Sequence, residues 1–159
     1  MNSHYPSTYF DRYAQDASCG WGAILYLSTS HCVKIQMGLE RGTNNYSELT
    51  TLRHLLHFSM EKHCRNIQIF GSSRNVINSI NNTSIYHAYS LRPILEEAHT
   101  FISHFDLFVY LHIYSECNEI VDQLSKEAAN WPHGTWIIQE KRDGEQYQYY
   151  HPPYMDYTP

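Results

Sequence analysis

The chain has 159 residues, enough for one domain with a real core, and its 42% apolar share is ordinary for a globular protein. A formal net charge of −5 excludes a global positive field, so any nucleic-acid binding would need a local patch or metal ions. No apolar run approaches the ~18 residues that span a bilayer, and the N-terminus, MNSHYPSTYFDRY, has neither a basic n-region nor an apolar h-region.

Cys19, Cys32, Cys64 and Cys117 are scattered, with no C-x-x-C pair and no zinc-finger spacing. They read as reduced thiols, and the chain is expected to be soluble and intracellular, in the nucleus or cytoplasm.

In chain order, STYFDRYA reads as a short strand ending near Asp11. Gly20–Thr29 is a second strand, with Trp21, Ala23, Leu25 and Leu27 alternating against Gly22, Ile24 and Tyr26. Cys32–Glu40 is a third, and the separators suit hairpins, so these three form an antiparallel meander. Helical spacing follows: Leu49, Leu52, Leu56 and Met60 share a face, and Asn45 with Glu48 reads as a capping box. Ile67–Phe70 is a strand that stops at Gly71-Ser72-Ser73, where Ser73 caps a helix facing inward through Val76, Ile77 and Ile80. After a polar connection, Ser90 caps a helix with Pro93 in its first turn and Leu91, Leu95, Ala98, Phe101 or Ile102, and Phe105 inward. Leu107–Tyr114 is a last strand. A helix opened by Asn118 then uses Ile120, Val121, Leu124 and Ala128.

The order β-β-β-α-β-α-α-β-α specifies an α/β layered fold with a mixed sheet. Residues 1–129 form this domain. Residues 130–159 read as an appendage with one strand, Trp136–Gln139, and a tyrosine- and proline-rich, partly disordered end.

Asp11 ends a strand, while Glu48 and Asp122 lie in first helical turns, so a mixed sheet can gather all three at one edge. Each also has a structural role open to it: a turn for Asp11, a cap for Glu48, a helix-dipole partner for Asp122. Three gathered carboxylates would repel unless hard divalent ions neutralised them. Two such ions ~4 Å apart can activate water for phosphodiester cleavage.

The segment TNNYSEL, Thr43–Leu49, resembles the T-N-N-x-x-E-L motif of the ribonuclease H family, which supplies a catalytic Glu, here Glu48. FDRYAQDASCGWGAIL is similar to the family's first hairpin and puts Asp11 in the first catalytic position. LHIYSECNEIVDQLSKEAA resembles the end of the domain, where Asp122 matches the last catalytic Asp, Asn118 the helix-opening Asn and His112 the preceding His. The resemblance runs over roughly residues 8–129 in the right order, and its details look most like the domains of plant retroelements.

The resemblance implies a five-stranded mixed sheet, first three strands antiparallel, with helices on both faces. It also implies metal-dependent hydrolysis of the RNA strand of RNA/DNA hybrids. Asp11, Glu48 and Asp122 would hold Mg²⁺ or Mn²⁺, and His112 would assist proton movement or product release. Asn44, Asn45, Arg12 and Asn118 would lie against nucleic acid, the two Asn near the minor groove where 2′-hydroxyls mark RNA. Two departures matter. Ser72 stands where the family has a fourth acid, and Arg12 where it usually has Gly. The basic substrate-gripping insertion is also missing around residues 80–92, where only Arg92 is basic, and Asp16 is a conceivable substitute acid. Activity is therefore expected to be absent or weak. The alternative is a catalytically degenerate, domesticated module that binds nucleic acid, or a protein partner through the tyrosine-rich tail. A monomer is expected.

Overall fold

The computed structural model describes residues 6–15, 18–39, 44–81, 91–114 and 118–151; the side chains of residues 44–47, 75, 150 and 151 lie outside it. Seven strands form one sheet in the order β5-β4-β1-β2-β3-β6-β7. They are β1 Ser7–Gln15, β2 Ser18–Ser28, β3 His31–Gly38, β4 Asn66–Gly71, β5 Leu107–His112, β6 Trp136–Arg142 and β7 Glu145–His151. The helices are α1 Asn44–Glu61, α2 Arg74–Ile80, α3 Arg92–Ile102 and α4 Glu119–Ala128. The first three strands pair antiparallel, and β4 and β5 join β1 in parallel, as the mixed sheet requires.

Strand alternation divides the core between two layers. Phe10, Trp21, Ala23, Leu25, Val33, Ile35, Ile67 and Ile69 are all buried on one face, with Leu49, Leu52, Leu55 and Leu56 of α1 in the same cluster. Trp21 lies parallel to the His54 ring of α1. The opposite face carries α4, brought close by glycines. A Cβ on Gly22 would stand 2.5 Å from Leu124 Cβ, and one on Gly20 2.4 Å from the Ala129 nitrogen. Any side chain at either position would push α4 off the sheet.

The sheet differs from expectation at both ends. It has seven strands rather than five, because residues past Trp131 add a hairpin to the β3 edge through pairs from Met37↔Trp136 to His31↔Arg142. The turn is Asp143-Gly144, both at positive φ (54° and 83°), the conformation a two-residue type I′ hairpin needs. Likewise, β1 does not end near Asp11 but pairs with β2 as far as Gln15↔Ser18. This arm projects beyond the core, so its polar residues incur no burial cost.

Ser73 caps α2 as expected, its Oγ accepting from the Val76 amide at 3.4 Å. Ser90 and the Asn45 side chain fall outside the described residues. In α3 Ile94 joins Leu91 and Ala98 inside. In α4 the expected inward Ile120 is instead 59% exposed, and Ser125 takes its place beside Val121 and Ala128. The close approach to Gly20 and Gly22 demands a small residue on that stripe.

Candidate metal and nucleic-acid site

Three strands run parallel, β1, β4 and β5, and their carboxyl ends share one edge. In such sheets this edge is where ligands bind. The β1–β4 ladder runs to Tyr9↔Phe70, and two residues further along each strand stand Asp11 and Ser72. The Ser72 hydroxyl is near enough to the Asp11 carboxyl to favour its charged form. The Arg12 amide donates to Asp11 Oδ1 at 2.8 Å.

Glu48 comes to this edge from the first turns of α1 and is buried. Its Oε2 has no hydrogen-bond partner among the described residues. Burial, reinforced by the Asp11 charge and only partly offset by Arg12, pushes its carboxyl up from 4.5 to about 7. Asp11 is also raised, first by burial and then by the charge of Asp122. The Arg12 amide and guanidinium and the Ser72 hydroxyl pull it back. Arg12 shares a ladder position with Trp21, on the α1 side of the sheet, and its buried Nε has no partner among the described residues.

Asp122 approaches from α4. Its Oδ2 accepts from Lys126 Nζ at 3.0 Å, one turn on, and that ammonium also lies 5.7 Å from the centroid of the Tyr13 ring. Asn118 opens α4 without a side-chain cap. Its Nδ2 instead donates to the Phe10 carbonyl at 3.1 Å, tying α4 to the residue before Asp11. Asn118 is buried, 3% exposed. His112 ends β5 opposite Gly71, one residue from Ser72, with its ring edge-on to Tyr114 at 5.1 Å. It stands at the same edge, outside the group of charges around Asp11. The side chains of Asn44 and Asn45, and all of Asp16, fall outside the described residues.

Among the described residues, no three His, Cys, Asp or Glu side chains converge on one cation position. Asp11 and Glu48 nonetheless have the chemistry for a hard divalent ion: a half-buried and a buried carboxyl that repel one another, the second with an oxygen lacking any partner among the described residues. Asp122 is held by Lys126 instead. The residues fit one cation between Asp11 and Glu48, and a second would have to take Asp122 from Lys126. Sequence reasoning missed Lys126, although its spacing of four from Asp122 on a helix is the signal for such a pair.

Residues 12–128 match the model of a protein family described as reverse transcriptase-like. No curated protein matches the chain. Among solved structures, the chain is similar to RNase H1 from the halophilic archaeon Halobacterium salinarum, with a TM-score of 0.71 and 23% identity over 78% of this chain and 96% of that one. It is similar to the N-terminal RNase H domain of a Mycobacterium tuberculosis protein, with a TM-score of 0.70 and 16% identity over 79% of this chain and 94% of that one. A compost-derived RNase H1 solved in complex with an RNA/DNA hybrid gives a TM-score of 0.68 and 17% identity over 79% and 96%. The chain belongs to the reverse transcriptase-like family and has the ribonuclease H fold.

Proposed function

We propose that the Asp11–Glu48–Asp122 edge engages RNA/DNA hybrids and holds a divalent cation weakly, giving absent or very low hydrolysis of the RNA strand. The observation that carries this reading is a buried Glu48 oxygen, without a partner among the described residues, near an Asp11 whose neighbour is a neutral serine. Asp11 and Glu48 would hold Mg²⁺ or Mn²⁺. A bound divalent ion would supply Lewis-acid stabilisation of charge on a phosphodiester oxygen. The chain's own residues prepare for it. Asn118 fixes the backbone before Asp11, Ser72 orients the Asp11 carboxyl, and His112 stands at the same edge to move a proton. Ser72 brings no charge and Asp122 begins in an ion pair, so the second cation position is under-supplied. Misplacing a reacting group costs ~10²-fold or more in rate.

The Asp122–Lys126 pair favours a second reading, a degenerate and domesticated module that binds hybrid without cutting it. One experiment separates the two: incubate the protein and Ser72→Asp with a labelled RNA/DNA hybrid and Mg²⁺ or Mn²⁺. Weak or no cleavage by the natural chain, with cleavage raised ~10²-fold in Ser72→Asp, is expected. Robust cleavage by the natural chain removes the weak-site reading. Binding without cleavage by either protein establishes the module, and absence of hybrid binding overturns both.

A further inference from the structure

The face of the sheet that carries Asp11 is only partly covered by α4. Register places Tyr9 of β1, Tyr26 of β2, Cys32 and Lys34 of β3, Gln139 and Lys141 of β6, and Gln146 and Gln148 of β7 on it. Tyr9 is two residues from Asp11 on the same face and stacks on Phe70 at 4.8 Å and 13°. Tyr26 stands edge-on to Tyr9 at 6.1 Å and is 41% exposed. Beyond Tyr26 lies a groove of about 570 Å³ across β3, β6 and β7; Lys34 and Lys141 line it, and so does Glu140, whose carboxylate pairs with Lys62 and His31. Of the described strand residues on this face, the only acidic one is Asp11, although the whole chain carries a formal charge of −5.

We infer that this face is a docking platform for an extended single strand of nucleic acid, continuous with the Asp11 edge. Exposed Lys34 and Lys141 complement a polyanion. Exposed Tyr26 offers a ring for a base to stack on, and the glutamine amides can donate to and accept from base edges. In a duplex the bases stack on one another and their faces are unavailable to Tyr26, so the occupant is single-stranded. From β1 to β7 the platform crosses four strand spacings, roughly 19 Å at ~4.8 Å each, room for a short run of nucleotides. The hairpin β6–β7 supplies most of the groove, which gives it a role in binding. The inference extends the proposed function to a second surface and does not depend on the metal.

The test is fluorescence anisotropy with a labelled oligouridylate of about 10 nucleotides, a size in the range such grooves bind. The natural chain should bind it saturably, with an affinity that falls as salt rises. Tyr26→Ala should weaken binding about 10-fold. Lys34→Glu with Lys141→Glu should weaken it by more than ~10-fold and flatten the salt slope by about 1.4. Circular dichroism checks that each surface variant is folded. No saturable binding, or affinity indifferent to the charge reversals, overturns the platform, as does self-association that Tyr26→Ala abolishes, which would assign the face to a second copy of the chain. Hybrid binding assayed in parallel separates the two surfaces. Its loss with oligouridylate binding intact counts against the proposed function alone, and the reverse counts against the platform alone.

Discussion

Two glutamates in this molecule are almost equally buried and lie in opposite electrostatic situations. Glu140, on β6, is 3% exposed, and both of its oxygens have partners: the Lys62 ammonium at 3.1 Å and the His31 ring. Burial alone would raise its carboxyl, but the hydrogen bonds from His31 and Lys62, with their charges, hold it below the ordinary value. Glu48 is 6% exposed, has an oxygen with no partner among the described residues, and is pushed up to about 7. The first carboxylate fastens the added hairpin to β3 and the end of α1, so its charge is a structural asset. The second has an oxygen with no partner among the described residues and stands beside the like charge of Asp11.

Substitution should separate the two. Glu140→Ala leaves Lys62 and His31 facing a buried gap, and breaking a buried pair on one side costs about 3–5 kcal/mol. The partly exposed Lys62 and His31 place the expected loss near 3 kcal/mol in urea unfolding. Glu48→Gln should act in the other direction. An acid whose folded pKa is raised binds its proton more tightly when folded. Its contribution is therefore intact below about 4.5, is lost as pH rises towards 7, and stays lost above that. The shift corresponds to about 3 kcal/mol, so in chelator at pH 8 the glutamine variant should be more stable by about that amount, with no gain at pH 4. A loss of stability at pH 8 would mean that Glu48 is satisfied and the comparison fails. Glu140, held below its ordinary value, contributes the opposite slope, stability lost as pH falls.

The sequence made one half of this comparison visible and hid the other. The three acids stand in motifs whose order and spacing survive, so β1, α1 and α4 are legible in the sequence. The alternation Trp21, Ala23, Leu25 gives the correct buried face because that strand has one side on the α1 layer. The hairpin was harder to see. EQYQYYH has no apolar alternation because an edge strand beyond the core has little to bury, and only Asp143-Gly144 signals its turn. The His31–Glu140–Lys62 cluster joins residues 109 and 78 positions apart, a distance no local pattern spans. Ile120 misled for a related reason: composition favours it inward, but contact with glycines selects the smaller Ser125.

Asn118 tests whether the acidic edge is held in place by backbone stitching in the way that Glu140 is held by ion pairs. Its Nδ2 bond to the Phe10 carbonyl links α4 to β1 one residue before Asp11, while its buried Oδ1 has no partner among the described residues. Asn118→Ala removes one neutral hydrogen bond and leaves one carbonyl unsatisfied, a net cost of about 1 kcal/mol. That loss is smaller than the one at Glu140 because no charge is stranded. The sharper readout is the stabilisation by added Mg²⁺, which binding theory puts at about 1.4 kcal/mol when the ion stands at ten times its dissociation constant. If Asn118 positions Asp11, the variant should need more Mg²⁺ to reach the same gain in melting temperature. A variant equally destabilised at Ser59, whose buried hydroxyl donates to the Leu55 carbonyl far along α1 from Glu48, should show no such change. Equal Mg²⁺ dependence in both would make Asn118 a packing residue and leave the acidic pair positioned by β1 and α1 alone.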